Sequence, residues 1–161
     1  MEERAAVLHD HASAVLSSQG IMPTLREVKN TGAVEAEFDR NTWTTSLNER
    51  TFGNNQADQE TMNMGAEAVW HESRHAEQTF WAARWAAGQG HSADQIADEW
   101  SLYKGAASEA AKQPLQQGDA QPEELQSWVD DYFVSPEKIA EYQDNKVQIG
   151  KLKQQFSLAA G

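Results

Sequence analysis

The sequence of 161 residues contains no cysteine. This absence excludes a disulfide framework and any metal site built from thiolates. A metal site in this chain would therefore have to use histidine, aspartate or glutamate. The chain also has only five histidines. A closely spaced pair of histidines is informative for that reason.

Basic side chains are few, with 13 Lys and Arg against 25 Asp and Glu, and the formal net charge is −12. Such a surface repels phosphate backbones and anionic membranes, so nucleic acid is not expected as a partner. It would attract a basic protein instead, such as a cognate inhibitor or a cationic substrate.

Long apolar runs are missing as well. No stretch approaches the roughly 20 residues of a membrane span. The first residues, Met1-Glu2-Glu3, begin acidic and are not followed by the apolar segment of a signal peptide. We therefore expect neither a membrane span nor a signal peptide.

The length and the 39% hydrophobic content favour one domain over residues 1–161, although a fragment of a larger protein would look the same.

Hydrophobic spacing along the chain predicts a predominantly helical α+β fold. A first amphipathic helix is expected over residues 3–18, a β-hairpin over about 33–48 and a long central helix over about 56–87. Further helices are expected over about 92–158. The long helix should therefore pack among other helices, with a small hairpin or sheet beside it.

Local signals add detail to these elements. His9 and His11 lie two apart on the first helix and are expected to face solvent. Ser92 and Gln95 form a capping-box pattern that opens a helical region, which Gly105 is expected to divide. The pair Ser135-Pro136 is expected to begin the last helix.

The long helix has one clear apolar stripe and is expected to leave little surface to water. Asn55 or Asp58 is the expected N-cap. Residues predicted to face the core are Met62, Ala66, Val69, Ser73, Ala76, Phe80, Ala83 and Ala87.

The side of this helix away from the stripe carries His71 and His75, which belong to the sequence His71-Glu72-Ser73-Arg74-His75. Histidines four apart lie one above the other on a helix, so both imidazoles can bind one metal ion. The glutamate between them is then placed to take a proton from a metal-bound water. The motif therefore predicts a zinc site formed by His71 and His75, with Glu72 as the catalytic base.

A non-catalytic interpretation of the same residues stays open. Arg74 and Glu77 could place His75 in a structural polar network, and the chain would then be an acidic protein-interaction module. A third interpretation, a helix-turn-helix over residues 92–112, is disfavoured by the negative charge.

A catalytic zinc needs a third protein ligand. Gln78 and Trp81 occupy the positions where the extended metzincin motif has glycine and its third histidine, which argues against that type. Glu99 is our choice, because an acidic ligand from a following helix resembles the gluzincin arrangement, and His91 is second. The alternatives left open are Asp94, Asp98, Glu109, Glu124 and Asp130.

The segment resembles the active helix of zincin metallopeptidases. Together with Phe38-Asp39-Arg40-Asn41-Thr42-Trp43 before it, it is similar to small zincin-like modules of bacterial toxins and injection-system effectors. The resemblance implies zinc-dependent hydrolysis of a protein or peptide. Arg74 and Glu77 lie outside the general zincin motif and, with Gln78, could support His75 or bind substrate. The resemblance also implies a location in the bacterial cytoplasm, or delivery by a specialised secretion system.

Overall fold

A computed structural model describes residues 2–53, 58–132 and 144–155. It confirms the predominantly helical α+β fold with a long central helix. Residues 144–155 are also helical and are called α7. The preceding elements are α1 (Glu2–Ser18), β1 (Leu25–Lys29), β2 (Ala36–Asp39), β3 (Thr44–Asn48), α2 (Glu49–Phe52), α3 (Gln59–Gly88), α4 (Ala93–Glu99), α5 (Lys104–Ala111) and α6 (Leu125–Tyr132).

The three strands form one sheet in the order β1-β3-β2. β2 and β3 are antiparallel, with Phe38 opposite Thr45, and they form the predicted hairpin. β1 runs parallel to β3 on the other side and was not predicted. All five residues of β1 are exposed. Because neither face of the strand is buried, its sequence lacks the alternation of apolar and polar residues that predicts a strand.

The central helix α3 follows the predicted range closely and has Asp58 as its N-cap, whose side chain accepts a hydrogen bond from Thr61 N. Its predicted stripe faces the core, where Ala76, Phe80 and Ala83 are all buried. Our expectation that little of this helix meets water was wrong. Trp70 is 49% exposed, so one face of α3 is open to solvent.

Helix α1 packs against α3 and the sheet, and this packing corrects the prediction for His9. His9 is only 7% exposed, whereas His11 faces solvent as expected. The Nε2 atom of His9 lies 3.0 Å from Thr24 Oγ1, which in turn lies 2.8 Å from Thr45 Oγ1. A buried imidazole is tolerated here because hydroxyl groups satisfy it.

The capping box of Ser92 and Gln95 begins α4 as predicted. The division from α5 falls at residues 100–103, earlier than the predicted Gly105. Ser101 has a positive φ of 49° there, and Tyr103 N donates a 2.9 Å hydrogen bond to Arg40 O. Gly105 serves another purpose, since a β-carbon on it would lie 2.6 Å from the Tyr103 ring.

The predicted start of the last helix at Ser135 lies outside the described residues. In the part of the chain that the structure describes, no helix combines the length and apolar character needed to cross a bilayer.

Candidate metal centre

His71 and His75 come together because α3 is regular across the motif and places side chains four apart on one face. Their Nε2 atoms lie 2.9 Å apart, and the two rings meet edge to face with centroids separated by 4.5 Å. Two nitrogens on a tetrahedral zinc, each about 2.05 Å from the ion, would be separated by about 3.3 Å. The two Nε2 atoms would have to move apart by only about 0.4 Å to reach this separation, so the pair can bind one ion.

Glu72 joins the histidines in a compact group. One possible ligand atom from each of His71, Glu72 and His75 lies within 4.8 Å of the others. His71 is exposed, while Glu72 and His75 are half-buried. Across residues 2–53, 58–132 and 144–155, no other group of three His, Asp or Glu residues is as close. The structure thus brings together the three residues that the motif predicted.

The carboxylate of Glu72 is held by the sheet. Phe38 N donates a 2.9 Å hydrogen bond to Glu72 Oε2. Asn48 N pairs with Glu35 O across the hairpin, and alternation along an antiparallel ladder then turns the N–H of Phe38 away from β3. β2 is an edge strand, so its outward N–H is available to α3.

A cavity of about 580 Å³ opens between β2 and α3 beside the motif. Glu72 and His75 line it from the helix, and Thr79 lies one turn further on, where its hydroxyl donates a 2.8 Å hydrogen bond to His75 O. The cavity gives Glu72 and His75 room for a ligand, whereas His71 lies outside its lining. The strand and its turn contribute Glu37, Phe38, Asp39 and Arg40.

The sequence did not predict these strand residues as part of the site. The available signal was the hairpin placed before the motif helix, since an edge strand next to a metal can hold an extended peptide. The motif alone could not show which of its residues reach the cavity. That depends on the register of β2 against β3 and on its position over α3.

Arg74 and Glu77 form an ion pair with each other, three residues apart on α3. Glu77 is buried at 8% exposure, whereas the Arg74 side chain is 43% exposed. Neither residue lines the cavity, and nor does Gln78. Their predicted role around His75 or substrate stays a prediction.

Glu99, the predicted third ligand, lies on α4 with its Oε2 3.8 Å from His91 Nδ1. The His91 ring in turn packs edge to face on Trp100 at 5.0 Å. The two leading choices for the third ligand are therefore near each other, and neither belongs to the compact group of the motif. Glu99 stays a prediction as the third ligand.

The other acidic candidates have local surroundings of their own. Asp94 lies 3.2 Å from Lys104 Nζ, Glu109 lies 2.7 Å from Lys112 Nζ, and Asp130 accepts a 3.0 Å hydrogen bond from Gln126. Asp98 and Glu124 are exposed. None of the five belongs to the group around His71.

Comparison of the chain with protein-family models, curated proteins and solved structures finds no match. Function must therefore be inferred from the chemistry of the site itself. That site has two imidazole nitrogens 2.9 Å apart, a carboxylate fixed beside them and an adjacent open cavity.

Proposed function

We propose that the protein is a zinc-dependent metallopeptidase in which His71 and His75 bind the ion and Glu72 is the general base. The observation that carries this proposal is the 2.9 Å approach of the two Nε2 atoms, with the Glu72 carboxylate in the same group. Imidazole pairs of this spacing with an intervening glutamate are typical of zinc hydrolases.

Bound zinc would supply Lewis-acid polarisation of a carbonyl and would make water more acidic. The chain itself supplies the proton transfers. Glu72 would accept a proton from the attacking water and pass it to the leaving nitrogen of the peptide. Because Phe38 N engages Oε2, the other carboxylate oxygen, Oε1, is the one left to carry that proton.

The substrate we propose is an extended protein or peptide segment. β2 is an edge strand that borders the cavity, and main-chain groups on such an edge can pair with an added strand. Strand addition would lay the peptide across the opening beside Glu72 and His75.

The biological setting is part of the same proposal. The resemblance to toxin and effector modules supports action in the bacterial cytoplasm or after delivery by a specialised secretion system. The net charge of −12 supports a basic immunity protein or inhibitor as a partner.

Metal analysis combined with the Glu72→Gln variant tests the peptidase. Wild-type protein should take up one zinc and cleave peptides in a complex peptide mixture. Glu72→Gln should retain the zinc and lose activity by about 10²-fold to 10⁴-fold. His75→Ala should lose the zinc. A wild-type protein that takes up no zinc at neutral pH would rule the proposal out.

The third ligand is tested by zinc affinity. If Glu99 binds the ion, Glu99→Gln weakens zinc binding, while Glu109→Gln, on the neighbouring helix α5, leaves it unchanged. Equal zinc affinity in wild type and Glu99→Gln would show that Glu99 is not a ligand and contacts His91 only.

A second function is favoured by one specific observation. Two imidazole nitrogens 2.9 Å apart can share a hydrogen bond when one ring donates and the other accepts, so the pair can be satisfied without metal. The protein would then be an acidic interaction module with structural histidines. Glu72→Gln would leave partner binding unchanged in that case, and substitutions of exposed acidic residues would weaken it.

A further inference from the structure

The turn after β2 holds Arg40 in a fixed position at the rim of the cavity. On one side, Asp39 Oδ1 accepts a 2.8 Å hydrogen bond from Asn41 N. On the other, Arg40 O accepts a 2.9 Å hydrogen bond from Tyr103 N at the start of α5. Trp43 anchors the same turn in the core, where it is completely buried. The backbone of Arg40 is therefore tied to rigid elements, while its half-buried side chain lines the cavity.

Several polar side chains of this cavity already have partners. Glu72 accepts from the N–H of Phe38, and Thr79 donates to His75 O. Glu37 lies 3.4 Å from Lys29 Nζ. The carboxylate of Asp39 serves the turn itself, as described above.

Arg40 differs from these neighbours. Its guanidinium makes no hydrogen bond or ion pair with any residue in the described part of the chain. By contrast, two other arginines of this acidic chain are paired with carboxylates. Arg26 lies 3.7 Å from Asp10, and Arg74 is paired with Glu77. A guanidinium with five donors, on a half-buried arginine that lines a cavity, is suited to an external acceptor.

We propose that Arg40 binds a carboxylate of the peptide substrate and so selects where the chain is cut. This inference rests on the proposed peptidase function and names its substrate class: peptides with a negative group beside the scissile bond. A guanidinium pairs with a carboxylate through two parallel hydrogen bonds, which adds geometric selection to charge.

The charges of the cavity favour a carboxylate over a phosphate. Glu37, Asp39 and Glu72 line the same space as Arg40. A phosphate of charge near −2 would be repelled by these groups about twice as strongly as a carboxylate of charge −1. The carboxylate has two sources, the C-terminus of a peptide or an Asp or Glu side chain within it.

Binding to zinc-loaded, ¹⁵N-arginine-labelled Glu72→Gln protein tests the proposal, because this variant should hold peptides without cutting them. The probes are acetyl-trialanine as the free acid and as the amide, and acetyl-Ala-Glu-Ala-amide against acetyl-Ala-Gln-Ala-amide. The Arg40 side-chain N–H signal, identified by its loss in Arg40→Lys, should shift with the free acid, the Glu peptide or both. A shift with acetyl-trialanine acid but not with its amide identifies the peptide C-terminus as the carboxylate that Arg40 binds. A shift with the Glu peptide but not with the Gln peptide identifies an acidic side chain.

Variants give the second measurement. Arg40→Ala in the same background should weaken binding of the carboxylate probe by roughly tenfold or more, as expected for loss of a charge-assisted pair. Arg40→Lys should restore part of the affinity. Arg50→Ala is the matched control, because Arg50 is exposed on α2 and does not line the cavity, and it should bind like the parent.

Two results would overturn the assignment of Arg40. One is an Arg40 signal that shifts no more with the acids than with their neutral counterparts, which is measured in protein that keeps Arg40 and so does not depend on a variant folding. The other is unchanged carboxylate affinity in a folded Arg40→Ala protein.

Other outcomes distinguish failure of the proposed peptidase function from failure of the role of Arg40. A zinc-loaded wild-type protein that binds the carboxylates through Arg40 and cleaves no peptide overturns the peptidase and supports the carboxylate site. Cleavage that shows no preference for a carboxylate overturns the role of Arg40 and supports the peptidase.

Discussion

The main-chain N–H of Phe38 donates a 2.9 Å hydrogen bond to the carboxylate of Glu72. This contact joins the edge strand β2 to the central helix α3 at the proposed catalytic base. It also fixes one oxygen of that base by a backbone group, which among substitutions in β2 only proline at position 38 removes directly. The geometry of the site and the packing of the hairpin are therefore linked through Glu72.

This link predicts that two substitutions of Glu72 differ in stability. Glu72→Gln keeps a carbonyl oxygen that can accept from Phe38 N, whereas Glu72→Ala leaves that half-buried N–H without its acceptor. We expect Glu72→Ala to be less stable than Glu72→Gln by about 1–2 kcal/mol. Urea unfolding of the metal-free proteins measures the difference. Equal midpoints and slopes would contradict the role of this bond.

Much of the fold could be predicted from local sequence. The range of α3 and its core stripe followed from 3.6-residue periodicity, and the hairpin followed from alternation around a turn. β1 could not be predicted, because it is exposed along its whole length and is defined only by its pairing with β3. The break before α5 depends on the contact of Tyr103 with Arg40, which is distant in sequence.

The candidate site, like the fold, could be predicted only in part from the sequence. The grouping of His71, Glu72 and His75 was predictable, because a regular helix fixes their relative positions. The positions of Arg40 in the turn and of the β2 residues that line the cavity were not predictable, since they depend on how β2 packs over α3. His9 was wrongly expected to face solvent, because helical spacing does not show which polar positions the sheet will cover.

Zinc should stabilise the folded protein if His71 and His75 bind it. Ligand binding to the native state adds about 2.7 kcal/mol when free zinc is at about 100 times its Kd, so Tm should rise with zinc concentration. The rise should disappear in His71→Ala and in His75→Ala. His11→Ala, an exposed position on α1, should respond like wild type. Differential scanning fluorimetry across a zinc titration measures these shifts, and a rise retained in both site variants would place the metal elsewhere.

The ion pair of Arg74 and Glu77 should contribute to stability, because Glu77 is buried at 8% exposure. Arg74→Ala would leave the Glu77 carboxylate without its partner, at a cost of about 1–3 kcal/mol. Adding Glu77→Gln to that variant removes the unpaired charge and should recover part of the loss. Urea unfolding of the single and double variants measures the coupling.

An exposed pair provides the matched control for this cycle. Lys112 and Glu109 have the same three-residue spacing, with side chains 67% and 44% exposed. Lys112→Ala should change stability by less than about 0.5 kcal/mol. If Arg74→Ala is as mild as Lys112→Ala, the Arg74 pair is a surface feature, and Glu77 is satisfied by other groups.

His9 should make stability depend on pH. Burial lowers the pKa of His9 below its ordinary value of 6.5, and the nearby Arg26 lowers it further, while Asp10 opposes the shift. The unfolded chain therefore binds a proton at His9 more readily than the folded chain does. The stabilisation is complete above pH 6.5 and is lost as the pH falls through the lowered pKa of the folded state.

Comparison of two histidine variants on the same helix isolates this contribution. Wild type and His11→Gln should lose stability more steeply than His9→Gln when the pH is lowered from about 8 to about 5. His9→Gln removes the titrating group while keeping an amide that can hydrogen-bond to Thr24, whose hydroxyl lies 3.0 Å from His9 in the folded protein. Urea unfolding at each pH gives the three curves. Parallel curves for wild type and His9→Gln would show that the buried imidazole keeps an unshifted pKa, and acid sensitivity would then have to come from carboxylates.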